Sequence, residues 1–173
     1  MIKTLTRISL SIIAALVFTT AANAQYYTGI GIHIGRFATG VSIKYFFDAN
    51  NANGIELIAG KTRAANGGYV ATALYEMQRP FNSSLLRIPL DFVFGGGVHG
   101  GYYPEGYYSI RDGVAYMYGE KVYAFGIDAV LGLEYKVPVA PLTIGVECIP
   151  FYEIVNPGPE FIDFSFSVRY VFE

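Results

Sequence analysis

The segment FIDFSFSVRYVF, residues 161–172, sets Phe164, Phe166, Val168, Tyr170 and Phe172 against Asp163, Ser165, Ser167 and Arg169 in strict alternation. Successive side chains of an extended chain point to opposite faces. The run therefore predicts a β-strand of unusual length with one large apolar face and one small or charged face. Whether the apolar face meets a protein core or lipid decides the fold.

The same division recurs upstream. Period-two alternation between turn signals marks strands near residues 26–36, 40–47, 54–62, 69–78, 85–99, 121–137 and 142–152, which with 161–172 makes eight. One face collects Ile30, Ile32, Ile34, Val41, Ile43, Tyr45, Ile55, Leu57, Tyr75, Phe92, Phe94, Phe125, Ile127, Leu131, Leu133, Ile144 and Val146. The other collects His33, Ser42, Lys44, Glu56, Thr72, Glu76, Arg87, Asp91, His99, Asp128, Glu134 and Glu147, together with Gly29, Gly31, Gly95, Gly97, Gly126, Gly132 and Gly145. No segment beyond residue 24 repeats apolar residues at helical spacing over a helix length. The 15 Tyr, 13 Phe and 20 Gly also disfavour helix. The chain reads as all-β.

Lys3 and Arg7 precede the apolar run SIIAALVF and the small-residue site Ala22-Asn23-Ala24, the pattern of a cleaved secretory signal over residues 1–24. The apolar run is too short for a membrane helix, which needs about 20 residues. Residues 25–173 then form one domain of ordinary length. Without Lys3 and Arg7, ten basic side chains face fourteen acidic ones, which excludes a nucleic-acid binder or a polybasic membrane-surface protein. A single cysteine, Cys148, permits no internal disulfide. It falls on the apolar face, where it reads as a small apolar residue.

Two architectures satisfy the alternation. A soluble sandwich buries its apolar faces against each other, whereas a transmembrane barrel turns them toward lipid and encloses the polar face. The long fifth and sixth strands reach the roughly 9–11 residues that a tilted membrane strand needs. The glycine-rich polar face suits a crowded interior better than a solvated surface. Short connectors, DANNANG, RPFNSS and PVAP, oppose the long stretch after residue 99. These features favour an eight-stranded antiparallel up-and-down transmembrane β-barrel. Such a closed barrel satisfies its backbone groups without an exposed edge.

The run FGIDAVLGLEYKVPVAPLTIGVECIPFYEI and the terminal RYVF resemble the small eight-stranded outer-membrane β-barrel proteins of Gram-negative bacteria, of the OmpX and opacity types. That resemblance implies an outer-membrane location in the cell envelope, with outer-membrane lipids and the barrel-assembly machinery as partners. It further implies that Tyr170 and Phe172 act as the assembly signal, although Glu173 follows Phe172 here. It brings no catalytic residues and no cofactor.

Motif searches agree with that silence. The G-x-G-x-x-G at Gly95, Gly97 and Gly100 runs into GYYPEGYY rather than a helix, so it cannot cradle a dinucleotide. His33 and His99 lack the short spacing of a metal-binding pair and are expected to hydrogen-bond lumen carboxylates. A lipid-A-modifying enzyme would pair His with a nearby Ser or use an Asp-Ser step, and neither occurs after residue 24.

Lys44, Arg87 and Arg169 should meet Glu56, Glu76, Asp91, Asp128, Glu134 and Glu147 as an ionic plug, since an eight-stranded interior is just wide enough for side chains to fill it. The excess of acid predicts that a carboxylate, Glu134 or Asp128, takes up a proton or a cation. Such a plug opposes porin-like conduction. Tyr102, Tyr103, Tyr107, Tyr108, Tyr116 and Tyr118 lie in the longest loop and are expected either to form an interfacial girdle or to recognise a surface ligand. The expected protein is a monomer with a structural or surface-interaction role. A narrow channel, a lipid-modifying enzyme and a soluble periplasmic β-domain are the alternatives.

Overall fold

A computed structural model describes residues 28–47, 52–62, 67–81, 89–111, 114–158 and 161–172. The expected signal segment, Arg87 and Glu173 lie outside the described residues. Among the described residues ten strands follow in order: β1 (Thr28–Gly35), β2 (Ala38–Phe46), β3 (Asn53–Thr62), β4 (Gly68–Pro80), β5 (Leu90–Tyr103), β6 (Tyr107–Arg111), β7 (Val114–Tyr118), β8 (Val122–Lys136), β9 (Leu142–Val155) and β10 (Ile162–Phe172). Eight of them close into a barrel in the order β1-β10-β9-β8-β5-β4-β3-β2, and every pairing is antiparallel. β6 and β7 form a separate hairpin inserted between β5 and β8. The barrel is therefore up-and-down throughout.

Closure rests on the terminal segment FIDFSFSVRYVF. β10 pairs along its length with β1, from Thr28↔Phe172 to Gly35↔Ser165, and with β9 from Ile162↔Pro150 to Tyr170↔Leu142. Phe164 and Phe166 face outward, while Asp163, Ser165, Ser167 and Arg169 are buried inside.

The division holds around the barrel. Ile32, Leu57, Leu131 and Phe164 are 51%, 51%, 52% and 55% exposed, whereas Lys44, Glu56, Glu134 and Arg169 are 0% exposed. Hydrophobic side chains thus cover the exterior, and ionised ones lie within.

Two expectations shift. The fifth strand begins at Leu90 and runs to Tyr103, so Tyr102 and Tyr103 belong to the barrel and not to a loop. The stretch read as irregular contains the β6–β7 hairpin, in register from Tyr107↔Tyr118 to Arg111↔Val114. Its two five-residue runs are short and bounded by Pro104, Gly106 and Gly119, which masked their alternation. The hairpin leaves the barrel through left-handed residues, Gly106 at φ 64° and Lys121 at φ 62°. A β-carbon at Gly106 would strike the Tyr118 and Gly119 carbonyls. Glycine is what lets the chain turn there.

The interior is also less uniformly polar than expected. Ile58, Leu74, Val130 and Ile149 form one buried apolar cluster, Phe37, Ala38, Val70 and Phe151 a second, and Tyr103, Val122 and Ala124 a third. Ile58, Leu74 and Ile149 are the next inward positions after Glu56, Glu76 and Glu147 on their strands, on the side of the β6–β7 hairpin. An ionic layer therefore lies beneath apolar layers.

Candidate functional site

Six buried side chains make up the ionic layer. Arg169 enters from β10 and sits against Gly31 of β1 in the register. Lys44 of β2 faces Gly29, Glu76 of β4 faces Gly54 and Gly95, Glu134 of β8 faces Gly145, and Glu147 of β9 faces Gly132. Five of the six long ionic side chains thus have a glycine beside them on a neighbouring strand, whereas Glu56 is flanked by Lys44 and Leu74. The glycine face read in the sequence is the space these groups need. A β-carbon at Gly31 would strike the Val168 carbonyl, and one at Gly145 would approach Ser167 Oγ to 2.5 Å and Arg169 Nη1 to 3.4 Å.

Two cations are shared among four carboxylates. Arg169 donates through Nε to Ser42 Oγ (2.8 Å), through Nη1 to Glu134 Oε2 (3.1 Å), and through Nη2 to Glu147 Oε1 (3.1 Å) and Glu56 Oε1. Ser42 in turn donates to Glu56 Oε1 at 2.5 Å. Lys44 Nζ lies 2.7 Å from Glu76 Oε2, 3.0 Å from Glu134 Oε2 and 3.6 Å from Glu56 Oε2. Removal of charge from water is costly, and only close pairing of this kind offsets it. With all four carboxylates ionised, the layer carries two more negative than positive charges.

The remaining candidates separate. Asp91 pairs with Lys136 at 2.8 Å near one mouth of the barrel, where both are partly exposed. Asp128 belongs to a second group nearer the hairpin: His99 Nδ1 lies 2.9 Å from its Oδ1, and His99 Nε2 lies 3.8 Å from Glu153 Oε1. Gly126 opposes His99 in the register and clears room for its ring. Asp128 and Glu134, the expected proton or cation acceptors, therefore each face a basic partner.

Two acids, Glu153 and Asp163, escaped the sequence reading of the network, and His33, expected to meet a lumen carboxylate, faces one of them. Glu153 lies on β9, which extends past the expected strand end at residue 152 to Val155, across an irregular register with β8 at Phe125/Gly126. It accepts the Gly158 backbone N–H. Asp163 receives the backbone N–H groups of Phe37 and Ala38 at 2.8 and 3.2 Å, holding the tight β1–β2 turn from the adjacent strand β10. His33 places Nε2 3.6 Å from Asp163 Oδ2. Both acids occupy inward positions by strict alternation with exposed neighbours, and that was the available signal.

The aromatic candidates also divide. Tyr102 lies on the exterior with its ring 5.0 Å from Tyr123, and the register sets Tyr69 beside Tyr102. Tyr103 turns inward and is buried, with Tyr118 packed against its cluster. Tyr107, Tyr108 and Tyr116 lie on the β6–β7 hairpin strands. Tyr170 and Phe172 stack edge to face at 4.9 Å on the outer surface at the opposite end. Tyr45, Phe47 and Tyr75 gather there too, with centroids 5.8 and 6.4 Å apart along that series. Aromatic groups thus bracket the aliphatic exterior at both ends.

No protein-family model matches the chain, and no curated protein sequence matches it. Among solved structures the chain is similar to the N-terminal β-barrel domain of Pseudomonas aeruginosa OprF, with a TM-score of 0.62 at 14% identity, covering 87% of this chain and 100% of that one. The fold is that of a closed eight-stranded barrel of this kind.

Proposed function

We propose that the chain is an outer-membrane β-barrel closed to solutes, with a structural or surface-interaction role exercised at the end that carries the β6–β7 hairpin. One observation carries this reading: the molecule is inside out for a water-soluble domain, with apolar side chains outside and ionic ones fully enclosed. An exposed apolar surface of this extent needs a covering medium. The aromatic groups at the two ends of the band sit where Tyr and Phe settle at membrane interfaces. Tyr170 and Phe172 are proposed as the assembly signal, and the hairpin tyrosines as contact residues for a surface ligand.

The ionic layer and the apolar clusters above it argue against conduction. Fractionation with urea washing is expected to leave the protein in the outer membrane, and release into the soluble fraction would end the membrane reading. In planar bilayers the purified protein should show no stable conductance. Reproducible discrete channels would overturn the closed lumen while leaving the location intact.

A further inference from the structure

We propose that His33, Glu56 and Glu147 form a binding site for one divalent first-row transition cation inside the barrel. These residues come from β1, β3 and β9, and one candidate ligand atom from each lies within 4.8 Å of the others. All three are buried, at 1%, 0% and 4% exposure. Among the described residues, His33 Nδ1, Glu56 Oε2 and Glu147 Oε2 have no hydrogen-bond partner. Buried polar atoms in native proteins rarely stay in that state.

The surroundings orient the three side chains. Arg169 Nη2 holds Oε1 of both glutamates, which leaves both Oε2 atoms available. The Asp163 carboxylate stands 3.6 Å from His33 Nε2, favouring the tautomer with its proton there and a lone pair on Nδ1. Metal sites use this support: a carboxylate behind the imidazole and hydrogen bonds behind the ligating carboxylates.

Charge points the same way. Glu56, Glu76, Glu134 and Glu147 share only Lys44 and Arg169 within the layer, and one divalent cation would neutralise the excess. An imidazole with two carboxylates suits zinc or manganese, whereas calcium and magnesium prefer oxygen alone. Lys44 Nζ, 3.6 Å from Glu56 Oε2, is the competing cation.

The test uses the chain without a polyhistidine tag, folded in detergent micelles, stripped with EDTA and equilibrated with Zn²⁺ or Mn²⁺ before elemental analysis. Near-stoichiometric uptake is expected. His33→Ala and Glu147→Gln should each weaken it by at least about tenfold, since loss of a group that merely supports a ligand already costs metal sites about ten- to a hundredfold. Asp128→Asn should leave it unchanged. The chain has only two histidines, so X-ray absorption of the Zn²⁺ or Co²⁺ form of His99→Gln should still show one imidazole ligand. Uptake well below one ion per chain, binding unaltered in the folded Glu147→Gln variant, or an oxygen-only coordination sphere would overturn the site. Should His33→Ala fail to fold, the nearly isosteric Glu147→Gln and the absorption spectrum decide.

Discussion

Phe166 and Ser167 are sequence neighbours with opposite surroundings, one 42% exposed on the outer surface and the other 1% exposed inside. Arginine at residue 166 would place a charge in the apolar band, at a cost of about 2–4 kcal/mol if that band meets hydrocarbon. Ser167→Ala removes a buried hydroxyl that has no hydrogen-bond partner among the described residues, so it should be nearly neutral. Denaturant unfolding in lipid vesicles compares the two, and equal tolerance would reject the face assignment. Arg169 carries a different expectation because three carboxylates depend on it. Arg169→Met leaves them facing Lys44 alone and should cost about 3–5 kcal/mol, as for other broken buried ion pairs. Adding Glu134→Gln removes one of the carboxylates then in excess over Lys44 and should return part of that loss in the same assay. The glycines, acids and bases of this layer were all legible as one face of the strands. The partner of each was not, because alternation assigns a side and says nothing of height along a tilted strand.

Among the elements, β5 shows where patterning loses precision. Its inward positions Gly95 and Gly97 lie so close to β4 that a β-carbon would strike the Tyr75 and Ala73 carbonyls. Gly97→Val should therefore destabilise the barrel by about 1–3 kcal/mol through overpacking, which an unfolding titration can measure. A substitution as mild as a surface change would contradict the close approach. The same glycines, continuing through Gly100 and Gly101, obscured the end of the strand in the sequence. Glycine is depleted from strands in general, so an expected boundary at residue 99 gave way to Tyr103 once β4 and β8 supplied partners on both sides.

For the molecule as a whole, the barrel and the β6–β7 hairpin are separate sheets. Barrel closure depends on β1 meeting β10, and no residue of the hairpin takes part in that ladder. Replacing residues 107–117 with a short flexible turn should thus leave the folded barrel, its heat-dependent gel mobility and its unfolding midpoint essentially unchanged, because surface connections tolerate such changes. Any ligand binding that the hairpin supports should disappear. A barrel unable to form without these residues would make the hairpin part of the fold.

The alternation of FIDFSFSVRYVF and its counterparts was enough to determine an all-β chain with one apolar and one polar face, since a period of two is a local property of extended backbone. Eight such strands, without disulfides, pointed to a closed barrel. Only the tertiary structure decided which charges meet. His33 and Glu147 lie more than a hundred residues apart in sequence, with Glu56 between them, and neither histidine has metal-site spacing along the chain. Closure of β1 onto β10 and the register of β9 bring those three side chains together. Proximity across a barrel depends on strand register and tilt, which no short stretch of sequence contains.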